Sequence, residues 1–183
     1  MARRNLTRLG LAALAVIVAA AVAVPAFAAA PPAKRTLRTI GGAEFKANRF
    51  VKDTMRFSRD VTVIRRGGKL ILRDRTKQPH TFSVVRKGQI PSTMREMENC
   101  FGAGPCDDLA VAHGAINPDT GEEQDPTTPL VNVGREGFNQ PGDSVLIPPN
   151  GKVTVDITGR RDLNYLCAIH PWMLGKIDVR RAG

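Results

Sequence analysis

Residues 165–179 read YLCAIHPWMLGKIDV, and this stretch carries three potential metal ligands between two apolar segments. Cys167, His170 and Met173 follow one another at a spacing of three. Pro171 disfavours helical backbone at His170, so the spacing predicts a tight, irregular turn between two strands. Such a turn can direct three side chains at one point.

Thiolate, imidazole and thioether are soft ligands, and two histidines, one cysteine and a weak axial methionine are typical of copper that cycles between Cu(I) and Cu(II). The second histidine must be His80 or His113, because the chain contains three histidines. His80 opens the apolar segment HTFSVV, whereas His113 lies in an irregular region, so we choose His80. A core thiol and a core methionine are the ordinary alternatives for either residue alone. The combination predicts a metal site made of His80, Cys167, His170 and Met173.

Short segments elsewhere in the chain are typical of strands, with period-two alternation or β-branched residues between turn signals. They cover residues 61–64, 70–72, 81–85, 144–147, 153–157 and 176–179. Short strands with abundant glycine and proline favour an all-β sandwich or barrel.

Residues 87–140 break this pattern and are predicted to form a long irregular insertion, with one helical turn at 94–99. Cys100 and Cys106 are close together in the turn-rich sequence CFGAGPC, which predicts a disulfide and leaves Cys167 unpaired. Met94, Met97 and His113 could supply a second, open site for Cu(I), although core or helical methionines are the simpler interpretation.

The first 28 residues, with three arginines before an apolar run and a small-residue pattern at AFA, predict a secretory signal peptide. Residues 29–40 are predicted to be a linker and residues 41–183 a single domain. We therefore expect a secreted or periplasmic protein without stable membrane insertion after cleavage.

The chain is basic, with 27 Lys and Arg against 17 Asp and Glu and a formal net charge of +10. Scattered basic residues are consistent with an ordinary soluble surface, or with attraction to an acidic partner or an anionic cell envelope. Only 5% of the residues are aromatic, which argues against stacking on nucleic acid.

The segment CAIHPWMLGKI resembles the cupredoxin family, in particular its plastocyanin-like and amicyanin-like members, where Cys-x-x-His-x-x-Met precedes a glycine and a strand. The resemblance covers roughly residues 55–85 and 141–179. It implies a Greek-key β-sandwich, one type 1 copper per chain and electron transfer with a redox protein partner. By this resemblance His80, Cys167 and His170 are the strong ligands, and Met173 is the long axial ligand.

The resemblance also implies that electrons leave through the edge of His170, beside an apolar docking patch formed by Pro171 and Trp172. Two positions depart from the family. Its members commonly carry Asn after the first histidine and a hydroxyl residue after the cysteine, a pair that ties the ligand loops together. Thr81 and Ala168 stand at these positions, and the Thr81 hydroxyl is a candidate replacement.

The histidine inventory bears on activity. Oxidases and nitrite reductases hold further copper with several more histidines, and after two are assigned to the first site only His113 remains. We therefore expect an electron carrier and no enzyme. Copper carriage or storage outside the membrane is the alternative function.

Overall fold

The computed structural model describes residues 30–181, so the predicted signal peptide lies outside the described residues. Its strands form two sheets and one hairpin. The first sheet has the order β10-β6-β1-β4 and consists of β1 (Lys34–Ile40), β4 (Arg56–Phe57), β6 (Gly68–Asp74) and β10 (Lys152–Ile157). The second has the order β5-β12-β11-β7-β9-β8 and consists of β5 (Val61–Arg65), β12 (Leu174–Arg180), β11 (Leu163–Leu166), β7 (His80–Val85), β9 (Ser144–Ile147) and β8 (Leu130–Val131). The hairpin pairs β2 (Ala43–Lys46) with β3 (Phe50–Asp53).

The two sheets enclose one apolar core, as expected for a β-sandwich. Leu70 and Leu72 of β6 alternate with exposed residues and meet Phe82 of β7 and Tyr165 of β11 in the same buried cluster. The rings of Phe82 and Tyr165 lie 4.6 Å apart, centroid to centroid. Burying a side chain of this size stabilises the fold by roughly 1.5–3 kcal/mol.

Non-consecutive strands are neighbours in both sheets, so the chain crosses repeatedly from one layer to the other. The turn between Arg65 and Gly68 does not close a hairpin, because β5 and β6 belong to different sheets. β5 instead pairs in parallel with β12. The prediction of an all-β Greek-key sandwich is confirmed.

All six predicted strand segments are strands in the structure. The predicted linker at residues 29–40 is too long, because β1 occupies its second half and pairs in parallel with β6. This strand escaped prediction because its sequence, KRTLRTI, exposes its charged residues and buries only Leu37 and Thr39.

The insertion at residues 87–140 is more regular than predicted. It contains a 3-10 turn (Lys87–Gln89) and the helices α1 (Met94–Glu98) and α2 (Pro105–Ala112), as well as β8. The predicted helical turn and the Cys100–Cys106 disulfide are confirmed. No helix within residues 30–181 has the length and apolar character needed to cross a membrane.

The insertion covers the outer face of the second sheet. Cys106 and Leu109 of α2 pack in a second buried cluster with Val85 of β7 and with Leu166 and Ala168 beside the ligand loop. All six residues of β7 are consequently buried, whereas a strand with one solvated face alternates.

Candidate metal centre

His80, Cys167 and His170 converge at one end of the second sheet. His80 is the first residue of β7, Cys167 directly follows β11, and His170 lies in the turn that leads to β12. The Sγ atom of Cys167 lies 3.9 Å from Nδ1 of His80 and 3.7 Å from Nδ1 of His170. All three ligand atoms lie within 4.8 Å of one another, and all three residues are buried.

Two backbone hydrogen bonds close the turn after β11. The N–H of Cys167 donates to the carbonyl of Met173, and the N–H of Met173 donates to the carbonyl of His170, both at 2.8 Å. Met173 is fully buried in the same cluster as Cys167. Gly175 follows where a side chain would collide with the hydroxyl of Tyr165, so glycine is required by this packing.

A buried polar group behind His80 orients its ring. Nε2 lies 2.8 Å from the Thr76 hydroxyl and 3.6 Å from the Asp74 carboxylate. The single hydroxyl proton of Thr76 is directed to acceptors, Asp74 at 2.9 Å or the carbonyl of Gln78 at 3.2 Å. His80 therefore donates from Nε2 to Thr76, which leaves the lone pair on Nδ1 facing Cys167.

Asp74 is ionised at the base of this group. Burial opposes its ionisation, but hydrogen bonds from Thr39, Asn150 and Thr76 outweigh burial and hold the pKa of Asp74 below its usual range. A carboxylate behind a ligating histidine fixes the tautomer and raises the basicity of the ligand, here with Thr76 as intermediary.

The second histidine is oriented in the same way. Nε2 of His170 lies 3.1 Å from the side-chain oxygen of Gln78. That oxygen only accepts, so His170 donates from Nε2, and its Nδ1 lone pair also faces Cys167. Gln78 thus orients one ligand directly and the other through Thr76.

Protonation states prepare both imidazoles for a metal. Burial, followed by repulsion from His170, lowers the pKa of His80 to about 4. Burial also lowers the pKa of His170. Both rings are therefore neutral near pH 7. Burial raises the pKa of the Cys167 thiol, so a bound metal would have to displace its proton.

Thr81 performs the linking role that its position suggested. Its hydroxyl accepts a hydrogen bond of 2.7 Å from the N–H of Ala168, and its own N–H lies 3.3 Å from Sγ of Cys167. One threonine on β7 thereby holds both the ligand loop and the ligand sulfur. Ala168 needs no hydroxyl because its backbone makes the bond.

The donor atoms fit a transition-metal ion. Imidazole nitrogen at about 2.0 Å and thiolate sulfur at about 2.3 Å from a common ion lie roughly 3.5–4 Å apart at ordinary bond angles. The two nitrogen–sulfur distances, 3.7 and 3.9 Å, fall in this range. One thiolate and two imidazoles without a carboxylate favour a soft or borderline metal.

His113 lies outside this cluster. Its Nδ1 lies 2.5 Å from the carbonyl oxygen of Thr128, and its Nε2 lies 2.7 Å from the hydroxyl of Ser144. Both ring nitrogens are therefore engaged, while Met94 is 71% exposed. The geometry gives no support to a second site formed by Met94, Met97 and His113.

Sequence reasoning missed the residues behind the ligands. Asp74, Thr76 and Gln78 precede His80 at intervals of two. This alternation of hydrogen-bonding residues up to a histidine was the available signal, in a segment that otherwise resembles a charged loop.

Neither protein-family models nor curated protein sequences give a match to the chain. Solved structures that match include a reduced tryptophan-to-tyrosine mutant of amicyanin, with 10% identity and a TM-score of 0.41 over 83% of this chain and 92% of that one. A purple cupredoxin from Nitrosopumilus maritimus matches with 13% identity and a TM-score of 0.40 over 79% of this chain and 98% of that one. At these values the site must be assigned from the geometry of this chain alone. The chain resembles the cupredoxin family, as the sequence of its ligand loop predicts.

Proposed function

We propose that the protein is a blue-copper electron carrier that holds one type 1 copper ion through His80, Cys167, His170 and Met173. One observation carries the proposal: both histidines direct Nδ1 at the buried Cys167 sulfur while their Nε2 atoms are held by Thr76 and Gln78. Copper bound there would supply a one-electron couple. The chain would hold the ligands in place and exclude water.

Ligand rigidity supports electron transfer over catalysis. The Cys167 loop is closed by its own backbone hydrogen bonds and tied to β7 by Thr81. Ligands held in one geometry in both oxidation states reduce the reorganisation that each transfer requires. His80 and His170 are enclosed, at 0% and 6% exposure, which leaves little room for a substrate at the ion.

The surface next to His170 is a plausible docking site for a redox protein. Ile169 and Trp172 are 40% and 39% exposed, and the Trp172 ring lies 5.2 Å from the ring of His170. Exposed Arg75 and Lys77 flank Thr76 on the adjoining segment. An apolar contact beside two cations favours a partner with an acidic rim. Pro171, assigned to this patch from the sequence, is buried and contributes no exposed surface.

We propose a location outside the cytoplasm, secreted or periplasmic. The predicted signal peptide and the Cys100–Cys106 disulfide support this placement, because disulfides persist in oxidising compartments.

Optical and electron paramagnetic resonance spectra of the copper-reconstituted protein test the function. We expect an intense visible band from charge transfer between the Cys167 thiolate and Cu(II), lost in Cys167→Ser and retained in the control Cys100→Ser/Cys106→Ser. A colourless copper-loaded wild type would overturn the proposal. Binding near two copper ions per chain without a reversible redox wave would favour carriage or storage.

A further inference from the structure

A row of polar side chains lies buried beneath the insertion, on the face of the second sheet opposite the main core. Thr81 and Ser83 belong to β7, Ser144 to β9, and His113 follows α2. Each is at most 2% exposed. Buried hydroxyl and imidazole groups are costly unless each makes hydrogen bonds, so the arrangement of their partners is decisive.

These four side chains form one continuous hydrogen-bonded chain. Nε2 of His113 lies 2.7 Å from Oγ of Ser144, which lies 2.6 Å from Oγ of Ser83. Ser83 donates to the hydroxyl of Thr81 at 2.9 Å. Thr81 is the residue that accepts from Ala168 and donates its backbone N–H to Cys167. The insertion is thereby connected to the ligand loop through side chains alone.

Proton counting shows that His113 determines the direction of this chain. Each serine has one hydroxyl proton. When Ser83 donates to Thr81, Ser144 must donate to Ser83, and His113 must donate to Ser144. The carbonyl of Thr128 can only accept, so His113 also donates from Nδ1. This direction therefore requires a doubly protonated ring.

A neutral His113 reverses the direction. Nδ1 keeps its proton for the Thr128 carbonyl, so Nε2 accepts from Ser144, Ser144 accepts from Ser83, and Ser83 accepts from Thr81. The hydroxyl proton of Thr81 then points away from the ligand loop. With the charged ring the same proton is free to turn toward the Cys167 sulfur. The two arrangements satisfy the same contacts and differ only in hydroxyl orientation.

Charged groups around His113 do not compete with this role. Burial lowers the pKa of His113, the Thr128 carbonyl opposes that effect, and no charged side chain within residues 30–181 adds a resolved contribution. Asp143 precedes Ser144, but its carboxylate accepts from backbone N–H groups of residues 133, 139 and 140. Asp107 and Asp108 lie in the first turn of α2, at the opposite end from His113.

We infer that His113 is a positioning residue of the metal centre, which sets through Ser144 and Ser83 the direction in which the Thr81 hydroxyl donates beside Cys167. The inference rests on the proposed function insofar as Cys167 is a metal ligand. It gives the insertion a purpose: α2 and its disulfide hold His113 against the sheet. Hydrogen bonds near a ligating thiolate tune its redox potential, so His113 would adjust the potential from outside the ligand set.

The first test uses metal-free protein at neutral pH and measures exchange of the Ala168 amide proton by NMR. Ser83→Ala and His113→Leu interrupt the chain, and both should speed this exchange severalfold, because Thr81 loses its fixed orientation. His113→Gln should remain close to wild type, since an amide oxygen can accept from Ser144. Ser58→Ala, outside the chain, is the control. Equal rates in Ser83→Ala and wild type would overturn the inference, whether or not the protein binds copper.

The second test uses copper-loaded protein and measures the reduction potential against pH. The potential of the wild type should rise as His113 gains its proton, because the Thr81 hydroxyl then becomes available to the sulfur. In His113→Gln and Ser83→Ala this part of the pH dependence should vanish. A pH profile that persists in both variants would overturn the inference. A copper-loaded protein without the visible band would overturn the proposed function alone, since the exchange experiment needs no metal.

Discussion

The Thr81 hydroxyl accepts a hydrogen bond of 2.7 Å from the backbone of Ala168, which lies 87 positions further along the chain. The same threonine donates its N–H to the Cys167 sulfur at 3.3 Å. The candidate metal site thus depends on one side chain that spans two strands, β7 and β11.

Replacing Thr81 with valine should remove this link while preserving shape. The N–H of Ala168 would be left buried without a partner, which costs about 1–3 kcal/mol. We expect the free energy of unfolding in urea to fall by that amount, and the visible band of the copper-loaded protein to shift. Thr81→Ser keeps the hydroxyl and should restore most of both properties. Equal behaviour of the two variants would contradict the assigned role.

Replacing Thr76 with valine should weaken copper binding without touching a ligand. His80 would lose the acceptor that orients its Nε2, and Asp74 would lose one of its donors. Mutation of groups behind a ligating histidine typically costs 10–100-fold in metal affinity, and we expect about that loss in competition with a chelator. Thr76→Ser is the matched control. Unchanged affinity in Thr76→Val would show that His80 is oriented by packing alone.

The metal-free protein should lose stability as the pH falls below neutrality. The pKa values of His80, His113 and His170 all lie below their usual value of 6.5, with that of His80 at about 4. Between these values the unfolded chain binds protons that the folded chain does not, so the free energy of unfolding falls with decreasing pH. Urea unfolding at a series of pH values between 7.5 and 4 measures the slope. A flat profile over this window would contradict the buried, neutral state of the three rings.

Trp172 should affect electron exchange between molecules without affecting the ligands. Trp172→Ala removes exposed apolar surface next to His170, so we expect the self-exchange rate, measured by NMR on mixtures of oxidised and reduced protein, to fall severalfold. The visible spectrum should stay unchanged. Phe45→Ala is a suitable control, because Phe45 is 77% exposed on the separate β2–β3 hairpin. An equal loss in both variants would place docking elsewhere.

Local pattern predicted most of the sandwich. The segment SVLI at residues 144–147 coincides with β9, because its bounds are marked by turn residues on both sides. β1 was missed because its partner is β6, far along the chain, and its sequence has few apolar residues. Parallel pairing between distant segments leaves no mark in a short window of sequence.

The ligand cluster was predictable from spacing, whereas its supporting groups were not. Cys167 and His170 share one turn, so their proximity follows from chain geometry. His113 was correctly separated from the ligand choice, but its contact with Ser144 depends on how the insertion folds over the sheet. That covering depends on the small buried face of α2, Cys106 and Leu109, which is too short for a clear helical pattern.

The position of β12 has a consequence for the order of assembly. β12 pairs with β11 on one side and in parallel with β5 on the other, for example Val179 with Ile64. Closing so large a loop is slow, since its entropy is lost before the contacts form. His170 and Met173 lie in the turn that leads into β12, so the ligand set is complete only when this strand has docked. Metal uptake would then distinguish finished molecules from unfinished ones.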